Sequence, residues 1–201
     1  MCQFLIRHPR VWWGRQSTRS IGTASREDLH LSPPLLFSGY AENGQTDKAL
    51  ECLEQMQIDG LSPNEVTFIC ILKACCSSGA IEKGKQIHEE ILCRGLLKKD
   101  MMLGTALVDM YAKCGMLATS RRILEGLHVR DTVSWNALIV GYAEQGHLDE
   151  AVHLFQRMQM DGFSPSAVSW NALLSGYAHE ACGHEALKCF ERLQSESFSP
   201  D

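Results

Sequence analysis

The chain has 201 residues, 45% of them apolar, with a net charge of −5 and nine cysteines. This is the composition of an ordinary folded chain, and its acidity speaks against a protein that grips nucleic acid mainly through phosphates. No apolar run approaches the roughly 20 residues that span a bilayer, and no cysteines are spaced as C-x-x-C, which disfavours a zinc or disulfide framework and points to a reducing compartment.

Residues 1–29 hold Arg7, Arg10, Arg15, Arg19 and Arg26, with no acid before Glu27. Their balance of +3 leaves −8 for the rest of the chain. An Arg- and Ser/Thr-rich segment of this kind resembles an organelle transit peptide, although Pro9 would interrupt an amphipathic helix. The alternatives are a disordered stub, or a start where an upstream repeat was lost.

From residue 30 the chain falls into five units of helix, turn, helix and stop. Residues 30–64 open on Pro33 and Pro34, so the first helix is expected only from about Leu35, and the second from Thr46 to Ile58. Residues 65–100 predict helices near 66–77 and 81–94. Val66, Phe68, Ile71 and Leu72, then Ile81, Ile87, Ile91 and Leu92, are their expected core. Residues 101–131 predict helices near 103–113 and 116–126.

Residues 132–166 are the clearest copy, with helices expected over 133–145 and 148–160. Trp135, Leu138, Ile139 and Tyr142 recur at i, i+3, i+4, i+7 and put one apolar stripe on one helix face. Gly146 breaks the pattern, and Gly162 followed by Pro165 stops the second helix. Residues 167–201 predict helices near 168–179 and 183–195. Ala181 stands where Gly44, Gly79, Gly115 and Gly146 stand in the earlier copies, so this turn is expected to shift and the last helix to begin late. With no capping segment after it, an apolar surface around Phe190 and Leu193 is expected to be exposed.

A fixed period of this size predicts an all-α fold, a right-handed α-solenoid superhelix of stacked helix-turn-helix repeats. The V-S-W-N-A-L-x-x-G-Y-A strings at 133 and 168, and the endings S-P-N, S-P-S and S-P-D, resemble the pentatricopeptide repeat family. The succession of 35, 36, 31 and 35 residues is similar to the repeat order of its plant PLS-type subfamily.

That resemblance implies a reader of single-stranded RNA, one base per repeat, through the fifth residue of the first helix segment and the last residue of the repeat. Thr105 with Asp131 then implies guanine, Asn136 with Ser166 a pyrimidine with cytosine favoured, and Asn171 with Asp201 uracil. Ile69 with Asp100, and Pro34 with Asn64, give no clear reading. The implied site is 5′-N-N-G-C/U-U-3′, with Val66, Met102, Val133 and Val168 wedged between bases. Ordinary packing is the other account of these aliphatic residues, and helix capping that of Asn136 and Asn171.

His88-Glu89-Glu90 matches the first part of a zinc deaminase signature, but no P-C-x-x-C follows, which leaves a helix-surface triplet. The expected role is therefore a specificity module for RNA editing or processing in a mitochondrion or chloroplast, without catalysis, metal or cofactor. The other readings are a protein-interaction scaffold of the tetratricopeptide kind, which the acidic balance favours and the period disfavours, and a non-functional fragment of a longer editing factor.

Overall fold

The helical periodicity of the sequence becomes ten α-helices among the residues that the computed structural model describes, which are 33–43, 45–98 and 100–197. The expectations for residues 1–32, Gly44, Ser199, Pro200 and Asp201 lie outside them. The described chain divides into two compact units on either side of the Leu96–Leu97 bond.

The first unit holds α1 (Pro33–Glu42), α2 (Thr46–Ile58), α3 (Glu65–Ser78) and α4 (Ile81–Cys93). Helix α1 starts two residues earlier than expected. Prolines in the first turn sacrifice only N–H groups that have no intrahelical partner there, so Pro33 and Pro34 begin the helix instead of delaying it. α1 packs on α3, as does α2, and α4 closes against α3. Phe37, Leu53, Phe68, Ile71, Leu72, Ile87 and Ile91 form the buried core of this unit. Two expected core residues are instead exposed, Val66 at 48% and Leu92 at 54%. Each lies on the face of its helix turned away from the neighbouring helices.

The second unit follows a short 3₁₀ turn (Leu96–Lys98) and holds α5 (Met101–Lys113), α6 (Leu117–Gly126), α7 (Thr132–Glu144), α8 (Leu148–Met160), α9 (Ala167–His179) and α10 (Gly183–Ser197). The leading helices α5, α7 and α9 pack side by side, and α6, α8 and α10 each pack against the leading helix before them. The stripe Trp135, Leu138 and Ile139 is buried in the middle of this core, with Leu154, Phe155 and Met158 from α8 and Trp170 and Leu173 from α9. Phe155 meets Trp170 edge-on with ring centroids 4.6 Å apart. Phe190 remains 44% exposed, while Leu193 packs against the core.

Glycine permits the close approach of α7 to α5. A Cβ on Gly141 would lie 2.8 Å from the Cβ of Ala112. The last turn is not shifted: Ala181 takes φ +55°, the left-handed conformation that Gly146 holds at +76°, and α10 begins in register at Gly183. The helices on either side impose that turn even where the residue is disfavoured in it.

Polar side chains tie helices together within and between successive pairs. Ser120 Oγ donates to the carbonyl of Val108 at 2.7 Å, and Gln145 Nε2 to that of Ala112 at 2.9 Å. Arg130 donates to the carbonyls of Leu124 and Glu125 and pairs with Asp161, while Arg157 reaches Glu125 at 2.9 Å. In the first unit Lys83 pairs with Asp47 in the same way. Cys52, Cys75 and Cys189 are buried as small apolar residues.

Candidate nucleic-acid interface

Each leading helix of the last four repeats starts on a capping residue, because its first N–H groups need an acceptor. Asn64 Oδ1 accepts from Thr67 N at 2.9 Å. Asp100 Oδ1 accepts from Met102 N at 2.7 Å, and Asp131 Oδ1 from Ser134 N at 2.7 Å. Ser166 occupies the N-cap of α9 in a capping box with Ser169. The final residue of one repeat is thus also the first fixed point of the next helix.

Packing α5, α7 and α9 side by side brings the caps of α7 and α9 against the fifth residue of the preceding repeat. Thr105 Oγ1 lies 3.3 Å from Asp131 Oδ1. Asn136 Nδ2 donates to Ser166 Oγ at 2.8 Å. Asn136 is buried, and its Oδ1 has no hydrogen-bond partner. It does not cap its own helix, a role taken by Asp131. Asn171 is exposed on α9, and Asp201 lies outside the described residues. Ile69 is half-buried on α3, and Asp100 belongs to the other unit. Pro34 is part of α1, and Asn64 is exposed at the start of α3.

The second position of every leading helix from α3 onward carries a large exposed aliphatic side chain. Val66 is 48% exposed, Met102 65%, Val133 60% and Val168 53%. All four stand at the same register of the repeat. His88, the first residue of the acidic triplet, is half-buried on α4, and burial pushes its imidazole below the usual value.

Three residues of this region went unread in the sequence. Thr67, Ser134 and Ser169 sit at the third position of their helices and are wholly or almost wholly buried. Ser134 Oγ accepts from Asp131 N at 3.2 Å and donates to Asp131 O at 2.8 Å. Ser169 does the same to Ser166, at 2.9 and 2.8 Å. The available signal was a hydroxyl residue three places after a capping residue.

The model of the PPR repeat family matches residues 35–96 and 130–169, and a PPR repeat matches residues 168–198. The chain belongs to the pentatricopeptide repeat family. It is 36% identical over 75% of its length to the Arabidopsis thaliana pentatricopeptide repeat-containing protein At4g30700, and covers 19% of that protein. It is 41% identical over 65% of its length to the chloroplastic pentatricopeptide repeat-containing protein CRR2 of the same plant, covering 20% of it. The chain thus spans about a fifth of the length of these relatives. Among solved structures, the pentatricopeptide repeat protein PPR10 from maize superposes with a TM-score of 0.68 at 24% identity, over 84% of this chain and 25% of that one. The likeness establishes the fold as an all-α helical repeat solenoid.

Proposed function

We propose that the chain is a sequence-selective reader of single-stranded RNA that serves editing or processing in an organelle and leaves catalysis to other domains or proteins. The observation that carries this reading is the Asn136–Ser166 pair, with Val133 and Val168 exposed at equivalent positions of the adjacent helices α7 and α9. The amide gives one of its two N–H groups to Ser166, and its buried Oδ1 is an acceptor without a partner. A buried acceptor in that state costs about 1–3 kcal/mol. A rotation of the amide toward a bound base would let Oδ1 accept from the exocyclic amine of a cytosine, while the Ser166 hydroxyl donates to the adjacent ring acceptor.

Thr105 with Asp131 forms the corresponding pair one repeat earlier. A carboxylate only accepts, which suits the N1–H and N2–H edge of guanine. Asn171 with Asp201 is assigned to uracil, which places the preferred site around GCU or GUU. Val66, Met102, Val133 and Val168 are the residues that would separate neighbouring bases. The array's acidity is compatible with this reading, because contacts to base faces and edges do not draw on bulk charge.

Curated relatives named chloroplastic and mitochondrial both occur, which supports an organelle as the setting. Residues 1–29 are assigned as the targeting segment, with the mitochondrion as the first destination to test. A fluorescence-anisotropy titration of the whole chain against a short RNA carrying GCU, and against the same RNA with those bases scrambled, tests the function. Tighter binding to GCU is the expected result, and equal binding would overturn it.

A further inference from the structure

We propose that the third-position hydroxyls, Ser134 and Ser169, are positioning residues for base selection: each fixes the backbone of the preceding cap, and with it the direction of the group that reads the base. The inference rests on the RNA reading given above and adds residues to it that would touch no RNA, since both serines are fully buried.

The structure contains its own comparison. Ser134 clamps both the N–H and the C=O of Asp131, and Ser169 both those of Ser166. Thr67 reaches Asn64 differently, donating its Oγ1 to Asn64 Oδ1 at 2.9 Å. In these three repeats the capping residue has ψ of 168°, 169° and 179°. In the fourth, the third position is Leu103, which has no hydroxyl. There the cap Asp100 turns to ψ 114° and directs its shorter bond to Met102 N, with Leu103 N at 3.4 Å.

Rotation about the Cα–C bond of a cap swings its side chain relative to the helix that follows. A difference of more than 50° between Asp100 and the other three caps therefore changes where the side-chain oxygens point. Asp131 has the most to lose. Its Oδ1 is committed to Ser134 N, with Thr105 also at 3.3 Å, and its Oδ2 is the oxygen left for a base. Selection by a carboxylate requires that oxygen to sit within a few tenths of an ångström of its working position.

The test compares the wild-type chain with Ser134→Ala and Ser134→Thr, titrated against RNAs that carry guanine or adenine at the first base of the GCU site. Circular dichroism is recorded on each variant. The expected result is that Ser134→Ala lowers the guanine preference on the order of tenfold, leaves the preference at the following cytosine as in wild type, and keeps its helix content. Ser134→Thr, which restores a hydroxyl of the kind Thr67 supplies, should recover the guanine preference.

A Ser134→Ala variant that retains the wild-type guanine preference would overturn the inference. So would a uniform loss of affinity at every base, which is what a purely structural role predicts. A wild-type chain without any preference for GCU would overturn the RNA reading itself, and this inference with it. The two failures are told apart by the wild-type titration alone.

Discussion

The side-chain amide of Asn136 donates to the hydroxyl of Ser166 over 2.8 Å, joining two residues 30 apart in the chain. The first lies within α7 and the second caps α9, so the bond exists only because those helices pack side by side. Asn136→Ala removes the amide without disturbing the cap of its own helix, which Asp131 provides. The expected outcome is a loss on the order of 1–3 kcal/mol in binding to GCU RNA, with binding to the scrambled RNA much less affected. Parallel anisotropy titrations read both.

The exposed aliphatic row separates binding from stability. Val133 is 60% exposed and Val168 53%. Replacing either with alanine should leave thermal stability within about 0.5 kcal/mol of wild type, because little buried surface is lost and alanine is the better helix former. RNA affinity should nonetheless fall by on the order of 1 kcal/mol per site. Paired melting curves and titrations check the opposite behaviour of the two quantities.

Gly141→Ala should destabilise the second unit. The new Cβ would lie 2.8 Å from Ala112 Cβ and 3.4 Å from Ala112 Cα, which is backbone and has little room to yield. Overpacking of that kind costs about 1–3 kcal/mol, against a gain of about 1 kcal/mol in helix propensity. A lower Tm is expected. Gly126→Ala is the control, since a Cβ there has no neighbour within 4 Å.

Ala181→Gly should act in the other direction. At φ +55° the alanine Cβ is crowded against its own backbone, a strain of about 1–2 kcal/mol that glycine does not carry. Part of that is offset by the greater freedom of glycine in the unfolded chain. A small rise in Tm is the outcome to look for.

His88 gives the first unit an acid sensitivity. Burial lowers its affinity for a proton in the folded state, although Glu89 opposes the shift. The unfolded chain therefore takes up the proton first as the pH falls below about 6.5, and stability is lost from there down through the lower folded value. Thermal melts of wild type and His88→Gln between pH 7 and 5 should show a shallower decline for the variant.

The leading and second helices were legible because Trp135, Leu138, Ile139 and Tyr142, and their counterparts in other repeats, carry a period that only a helix satisfies. The start of α1 and the turn at Ala181 differ from expectation for separate reasons. Pro33 and Pro34 fall in a first turn, where a missing N–H costs nothing, and the flanking helices hold Ala181 left-handed against its own preference. Periodicity assigns Val66 and Leu92 to the core because it identifies a stripe but not which of its edges meets a neighbour. The pairing of fifth and last positions came from resemblance, since a separation of 30 residues carries no local signal. The clamps by Ser134 and Ser169 and the ties of Arg130 to Asp161 and Arg157 to Glu125 depend on how helices meet, which no single segment encodes.

Asp131 and Ser166 each start a helix and also bond the fifth residue of the preceding repeat, Thr105 and Asn136. Under the RNA reading, every change of target at these positions is at the same time a change of helix terminus. Only residues that cap well are cheap there, and replacing one by a non-capping residue costs on the order of 1 kcal/mol before any base is met. The vocabulary open to such an array when it drifts toward a new transcript is therefore narrowed in advance by foldability. Hydrophobic or long-chain letters are filtered out, and short oxygen-bearing ones remain.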